Sequence, residues 1–525
     1  MQAASVGTST RASSMRIQGI SLTAGSVTAV CAVALFVWQW RRALQRQTRP
    51  SGSTAPPPHA LLKRVVRGVD AGPGLEDGCG PPLVLFCGGS AFNRASVELS
   101  RFTTRTAYIV PISDNGGSSK EIIRVLGGPA IGDVRARLIR LAAPRNSEDE
   151  AVINLLKYRL TNSSRQDAKN EFLRIVDGTH GAWEGIAEAY KQTVRAFLVN
   201  FFNACLRRES VQELSVDVVN TADELATHFD YRGGSIGNFM LTGARLFFGS
   251  LEAAIFWFSN LAGIPRASFV VPVINVNSKV TLGVKLQNGQ EIIGQDNISH
   301  PQPPTPGGPQ GPADTKATAD SPLPSAIERV FYVNESGTAV LPPVNPMILQ
   351  HLRSCQAVIY TMGSLYTSIL PSLVLKGMGR AVAALEGPKI LILNGSTDRE
   401  TMWHGADGRI CHMMAEDIVA AVCDALNENE GPLETSSGGC QDYITHVLYL
   451  QASPVVNPRQ IKTLSDMGVA TVEIPQDDHN ASHYDDRMLI KALRSLLEGW
   501  EVHHMCQQKR AWHEDLASPV SPLLW

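Results

Sequence analysis

The chain has 525 residues, with 47 Lys and Arg against 49 Asp and Glu and a net charge of −2 at pH 7. That balance gives no electrostatic reason to expect nucleic-acid binding, which rests on many Lys/Arg contacts to phosphate. An apolar fraction of 44% with 18% charged residues excludes a largely disordered chain and a polytopic membrane protein. The nine cysteines are scattered without a CxxC pair, which argues against a structural zinc site and a disulfide framework.

The first stretch breaks the average. No acid precedes Asp70, while arginines cluster at Arg41, Arg42, Arg46 and Arg49. Before them Ile20–Trp40 is uncharged and mostly apolar, long enough at 1.5 Å per residue to span a bilayer of about 30 Å. Residues 1–69 therefore read as a basic extension with a single membrane anchor at 20–40, the arginines holding the main domain on the cytosolic face. An organelle transit peptide (mitochondrial or plastid) and a plain extension fit the same composition.

Leu83–Phe86 is an apolar run ending in glycines, the pattern of a buried strand entering a turn. Ala107–Val110 repeats it, and a helical pattern follows each loop, so βαβ units and a parallel sheet are expected. Residues 147–259 are mostly helical in pattern, opening on a capping box at Ser147–Glu150. Val271–Ile293 reads as β, with an Asn-Gly hairpin turn at 287–290. A Pro-, Gly- and Thr-rich stretch, 300–325, interrupts the pattern as an insertion without hydrophobic periodicity. Strands are expected again at Gln356–Tyr360, Lys389–Leu393, Val447–Leu450 and Val469–Ile474, and helices at Ala415–Leu426 and Asp485–Leu497. Although the length allows three or four domains, 81–499 reads as one α/β domain. It is expected to be a Rossmann-like, doubly wound parallel sheet with a helical insertion, and 500–525 a tail.

In such a sheet ligands bind beyond the carboxyl ends of the strands. Three Gly/Ser loops fall there: Cys87–Asn93, Ser113–Ser119 and Thr361–Ser368. Glycine lets backbone amides approach phosphate, and a following helix N-terminus favours negative charge. The same loops also fit plain tight turns, and Ser118 with Glu121 fits a helix-capping box. Neither GxGxxG nor GxxxxGK[ST] is present. The turn at 127–132 precedes Asp133, which would share a helical face with Arg137 and Arg140. Asp133 fits a metal or hydroxyl ligand and Arg135 a phosphate partner, or a helix cap with solvated ion pairs. Asn238, after Gly233–Gly237, fits a ligand donor or a cap. Asp477–Asp486 holds HxxxH-spaced His479 and His483, and a polar turn before an Asp-capped helix explains it as well as a metal cluster does.

The order of these motifs carries a resemblance. Gly88-Gly89-Ser90 after a strand, the run from Ser113 to Ala142, Gly233–Ala244, and Gly363–Gly377 together resemble the CofD-like family. That family includes the 2-phospho-L-lactate transferases and the bacterial gluconeogenesis-factor proteins, and the likeness is closest to its uncharacterised eukaryotic members. The resemblance implies a Rossmann-like fold. In the transferase branch it implies movement of a phospholactyl group from a guanosine diphosphate-linked donor to a deazaflavin, with magnesium. In the gluconeogenesis-factor branch it implies a nucleotide-sugar-binding regulator.

By that match Asp114 and Asp133 are the expected catalytic residues and magnesium positions. Gly88, Gly89, Ser90 and Asn93, then Asn115, Gly116, Gly117, Ser118 and Ser119, are expected to bind nucleotide or substrate. Arg135, Asn238, Gly363, Ser364, Tyr366, Thr367 and Ser368 complete that set. Asn115 stands where the family commonly has a second aspartate, Cys87 and Ala91 stand where glycines are usual, and Gly116–Ser119 sides with the regulator branch. The expected function is magnesium-assisted transfer of a phosphate-linked group from a nucleotide diphosphate-linked small molecule. The alternative is a non-catalytic nucleotide-sugar-binding regulator. A homo-oligomer fits either, and no nucleic-acid partner is expected.

Overall fold

The structure, a computed structural model, describes residues 77–88, 91–113, 116–215, 228–299, 321–430 and 439–517. The N-terminal segment with Ile20–Trp40, and most of the Pro-rich stretch, lie outside the described residues. No described helix is long and apolar enough to cross a membrane. All described residues fall in one compact unit, Ala71–Trp525.

Its centre is a seven-stranded sheet. The strands are β1 (Leu83–Phe86), β2 (Thr106–Val110) and β3 (Ser268–Pro272), then β8 (Ala357–Tyr360), β9 (Lys389–Ile392), β12 (His446–Leu450) and β13 (Ala470–Ile474), in the order β13-β12-β9-β8-β1-β2-β3. Every neighbouring pair is parallel. β1, β8 and β9 are buried at every position, because helices cover both faces, and this is why they read as continuous apolar runs rather than alternating ones. Chain order runs outward from β1 to β3 on one side and from β8 to β13 on the other. The topological switch point therefore lies between β1 and β8, where doubly wound sheets open a crevice.

Between β3 and β8 lies an antiparallel sheet of β4 (Thr281–Leu286), β5 (Glu291–Ile293), β6 (Ile327–Val333) and β7 (Ala339–Val340). The Asn-Gly turn joins β4 to β5 as the sequence implies. Leu323, inside the stretch read as unpatterned, is buried and bridges to Trp403 beside a hairpin of β10 (Met402–His404) and β11 (Ile410–His412). A second hairpin, β14 (Gln476–Asp477) with β15 (Asn480–Tyr484), occupies the segment read as a polar turn. His479 and His483 lie on it rather than on a helix, while Asp485 does accept the amides of Arg487 and Met488 at the next helix.

Among the described residues, eight α-helices lie between β1 and β3: α1 (Asn93–Ser100), α2 (Gly117–Leu126), α3 (Gly132–Leu141), α4 (Ser147–Lys157), α5 (Arg165–Asp177), α6 (Glu188–Ser215), α7 (Ile236–Phe248) and α8 (Leu251–Leu261). Asn146, not Ser147, caps α4, its side chain accepting the Asp149 amide at 2.8 Å. The helical insertion closes on Phe172, Phe201, Phe229, Tyr231 and Phe239, all buried and packed ring on ring. Each such ring contributes roughly 2–3 kcal/mol by burial. That cluster fixes where α7 enters, and with it the position of Asn238.

Candidate functional site

The loops after β1 and β8 flank the switch point and touch. Thr361 donates from both its amide and its hydroxyl to the Phe86 carbonyl, each at 3.0 Å. Gly88 lies so close to Ser368 that a Cβ there would fall 2.5 Å from the Ser368 Cβ, so only glycine allows the approach. Gly89 and Ser90 lie outside the described residues. Asn93 opens α1, and its buried Oδ1 has no hydrogen-bond partner.

The loop after β2 leads into α2. Ser113 is buried with an unpartnered hydroxyl; Asp114 and Asn115 lie outside the described residues. Gly116 takes the N-cap position of α2 without any side-chain cap, so Ser118 does not form the expected box. Glu121 instead pairs with Arg124 and accepts the Asp230 amide. The Ser118 hydroxyl accepts from Asn238 Nδ2 at 2.9 Å, and Asn238 Oδ1 accepts from Arg135 Nε at 3.0 Å. Asn238 is buried and so ties three separate motifs together. Gly237 makes room for this: a Cβ there would lie 2.5 Å from the Leu156 carbonyl oxygen and 3.2 Å from Arg135 Cδ. Ser119 is buried facing Gly132 at the start of α3.

Asp133 sits in the first turn of α3, half-buried. Burial, with the Arg159 guanidinium beside it, pulls Arg135 down to about 10, opposed by Asp133; it remains cationic at neutral pH. Arg159 donates to the Gly233 carbonyl, so the Gly233–Asn238 segment holds both guanidinium groups. The solvated face expected for Asp133, Arg137 and Arg140 does not form. Arg140 is exposed, but Arg137 is buried against the Tyr108 ring, 5.0 Å from its centroid, with Nη1 unpartnered. A buried guanidinium costs much unless paired. Cys87 lies beside it, and burial pushes that thiol up against the lowering effect of Arg137.

The turn after β8 is built differently from a free phosphate loop. Asn394 clamps Gly363, accepting its amide at 2.8 Å and donating to its carbonyl at 2.9 Å. Residues Leu365–Ile369 form a π-turn following Ser364, a geometry frequent at functional sites. Its amides at Tyr366 and Thr367 donate to Glu400 Oε2 at 2.9 and 3.1 Å, and the Thr367 and Ser299 hydroxyls donate to Oε1. A protein carboxylate thus occupies the amides that the sequence offers to a phosphate, and Tyr366 is turned inward. Burial, then Asp398 nearby, pushes the Glu400 carboxyl up to about 7.

Arg159, Asn394 and Glu400 carry no local motif, and sequence reasoning missed them as site residues; Ser113 and Arg137 lie inside the Ser113–Ala142 run but were not singled out as ligand-binding. Only Arg137 left a signal, three and four residues from apolar Val134 and Leu141 on a helix that packs against the sheet. Among the described residues no group of three or more His, Cys, Asp or Glu could hold a metal ion. Asp133 has Arg135 for a charged neighbour, so the described residues alone do not supply a magnesium site.

A seven-stranded parallel sheet with helices on both faces and a switch point between β1 and β8 defines a doubly wound α/β protein. A family model for 2-phospho-L-lactate transferase CofD matches residues 83–482, and the chain belongs to that CofD family. It is 30% identical over 421 residues to an uncharacterised protein of Saccharomyces cerevisiae, covering 70% of this chain and 90% of the yeast protein. A Thermoanaerobacterium thermosulfurigenes protein that bears a gluconeogenesis-factor name is 22% identical, over 80% of this chain and 98% of its own. A similarly named Clostridium acetobutylicum protein is 23% identical over 61% of this chain, which spans half of that relative. A crystal structure of a UPF0052-family protein from Bacillus halodurans shares the fold, with a TM-score of 0.50 at 17% identity, over 80% of this chain and 99% of that one.

Proposed function

We infer that the chain is a transferase that moves a phosphate-linked group from a nucleotide diphosphate-linked donor to an acceptor hydroxyl. The observation that supports it best is the contact of Gly88 with Ser368, which joins the loops after β1 and β8, beside buried polar atoms without partners on the segments that follow β1 and β2, Asn93 Oδ1 and Ser113 Oγ. In this reading the acceptor oxygen attacks the distal phosphorus and the bridging P–O bond breaks. The nucleoside monophosphate leaves, and the hydroxyl proton passes to Asp114 or Asp133. Arg135, held by Asn238, and Arg137 meet the charge that develops on the phosphoryl oxygens, as such transfer requires. The part of magnesium is tested by adding it.

The run Gly116–Ser119 and the gluconeogenesis-factor names of two relatives favour a second reading, a nucleotide-sugar-binding regulator without turnover. Thermal melting of the full chain with guanosine and uridine diphosphate-linked ligands, with and without magnesium, separates them. A guanosine-linked donor that stabilises, and is consumed when candidate hydroxyl acceptors are added, supports the transferase. Stabilisation by a uridine diphosphate-sugar, without product and insensitive to Asp133→Asn, refutes it. No stabilisation by either removes both readings.

A further inference from the structure

Arg245 lies two helical turns along α7 from Asn238. It is 6% exposed, and no carboxylate pairs with it in any salt bridge among the described residues. Burial pulls its guanidinium down from the ordinary arginine range, and no neighbouring charge opposes that. Its Nε has no hydrogen-bond partner, and Nη2 reaches the Gly127 carbonyl only at 3.4 Å. A buried guanidinium with so little compensation is costly, and an apolar replacement of similar volume is often as stable or more so.

The contacts of Arg245 are with a turn that leads into the candidate site. Gly127 and Gly128 end α2, both in the left-handed region at φ +64° and +88°. The guanidinium lies flat on Gly128. A Cβ there would fall 2.6–2.7 Å from its Cζ and both Nη atoms, so a side chain at this position would displace it. The segment then runs on to Asp133 and Arg135 at the start of α3. On the way the Ala130 amide donates to the Ile112 carbonyl, and Gly132 faces the Ser119 hydroxyl.

Asn238 and Arg245, two turns apart, share one face of α7. From that face Asn238 donates to Ser118 at the N-terminal end of α2, and Arg245 donates to Gly127 at its C-terminal end. Asn238 also accepts from Arg135, while Arg245 packs on the turn before α3. One helix therefore pins α2 at both ends and α3 at its start. That helix is itself fixed closely to α6, because a Cβ on Gly243 would fall 2.0 Å from the Phe197 carbonyl oxygen.

We infer that Arg245 is a positioning residue of the site: by holding the Gly127–Gly128 turn it sets where α3 begins, and so where Asp133 and Arg135 stand toward a phosphate-bearing ligand. The inference rests on the transferase reading for its ligand and adds to it a residue that lies outside the loops at the carboxyl edge. A purely stabilising role, a cation at the carbonyl end of α2, makes the opposite prediction for stability.

Arg245→Met removes the charge and the donors while keeping much of the volume, and Arg245→Lys keeps a cation and a donor. Urea unfolding, amide hydrogen exchange over 127–135 and calorimetric titration with guanosine and uridine diphosphate are read on the full chain. The Met variant is expected to be as stable as the parent or more so, and to exchange faster over that segment. It is also expected to bind the nucleotide about tenfold more weakly, as small misplacements of binding groups cost. The Lys variant is expected to fall between the two in exchange and affinity. Lost stability or failure to fold in the Met variant, with the Lys variant binding as the parent does, makes Arg245 structural and overturns the inference. Unchanged exchange, or an affinity of the Met variant within about twofold of the parent's, overturns it as well. A parent that binds neither nucleotide removes the transferase reading and this inference with it, whereas the other failures leave that reading standing.

Discussion

Glu400 is the residue whose removal tests the architecture of the turn after β8 most directly. Its carboxylate is buried and accepts two amides and two hydroxyls. In Glu400→Ala the two hydroxyls, 3.3 Å apart, still bond each other, but the amides of Tyr366 and Thr367 are left unpaired in the interior. At about 1–3 kcal/mol per orphaned donor the loss is about 2–6 kcal/mol. In Glu400→Gln the side-chain carbonyl keeps the amides and the NH₂ donates to the hydroxyl oxygens, so the cost stays under about 1 kcal/mol. The two variants also separate in pH dependence. Burial, then Asp398 nearby, pushes the native carboxyl up to about 7, against 4.5 for an ordinary glutamate. Between those values the folded chain keeps a proton that the unfolded chain has lost. Its contribution to stability is therefore fully present below 4.5 and lost as pH rises through about 7. Urea unfolding at pH 5 and pH 8 reads both effects. The parent is expected to lose stability relative to Glu400→Gln on going to pH 8. An equal pH slope in parent and Gln variant, or an Ala variant as stable as the Gln variant, would refute the reasoning.

Asn238→Ala breaks the link from Ser118 to Arg135 and strands a buried guanidinium N–H, at a cost of about 1–3 kcal/mol by chemical denaturation, together with weaker nucleotide binding. Arg137→Met keeps the packing on Tyr108 and removes a buried charge that no carboxylate pairs in any salt bridge among the described residues, with Nη1 unpartnered. It is expected to leave stability unchanged or raise it, while calorimetry shows lower affinity for a nucleotide diphosphate; lost stability with unchanged affinity would make Arg137 structural. Tyr484→Phe removes the hydrogen bond of a buried phenol to the Leu393 carbonyl, 2.6 Å long, that ties the C-terminal hairpin to the sheet. It is expected to cost about 1 kcal/mol in urea unfolding.

Arg94 shows why some of these contacts were invisible beforehand. It stands just after the first glycine loop and pairs with Asp477 and, at 3.0 Å, with Asp486, nearly four hundred residues on. Nothing local marks Asp477 as its partner. The acidic and histidine-rich run therefore reads as a metal cluster or a turn until the hairpin places it. Glu400 is similar, because its hydroxyl partner Ser299 lies 101 residues away and across the Pro-rich stretch.

What the sequence by itself determined was local in origin. Continuous apolar runs mark strands buried on both faces, glycines after them mark loops at the carboxyl edge, and alternation with helical periodicity implies the parallel sheet. Each signal lies within a dozen residues, where backbone geometry and burial act directly. Only the tertiary structure decided which polar groups stay open to a ligand. It buried Arg137 with its Nη1 unpartnered, joined Ser118, Asn238 and Arg135, and filled the Tyr366 and Thr367 amides of the turn after β8 with Glu400. Hydrogen-bond satisfaction depends on which atoms meet across the fold, so a glycine loop shows where an anion can approach but not whether the protein has already supplied one.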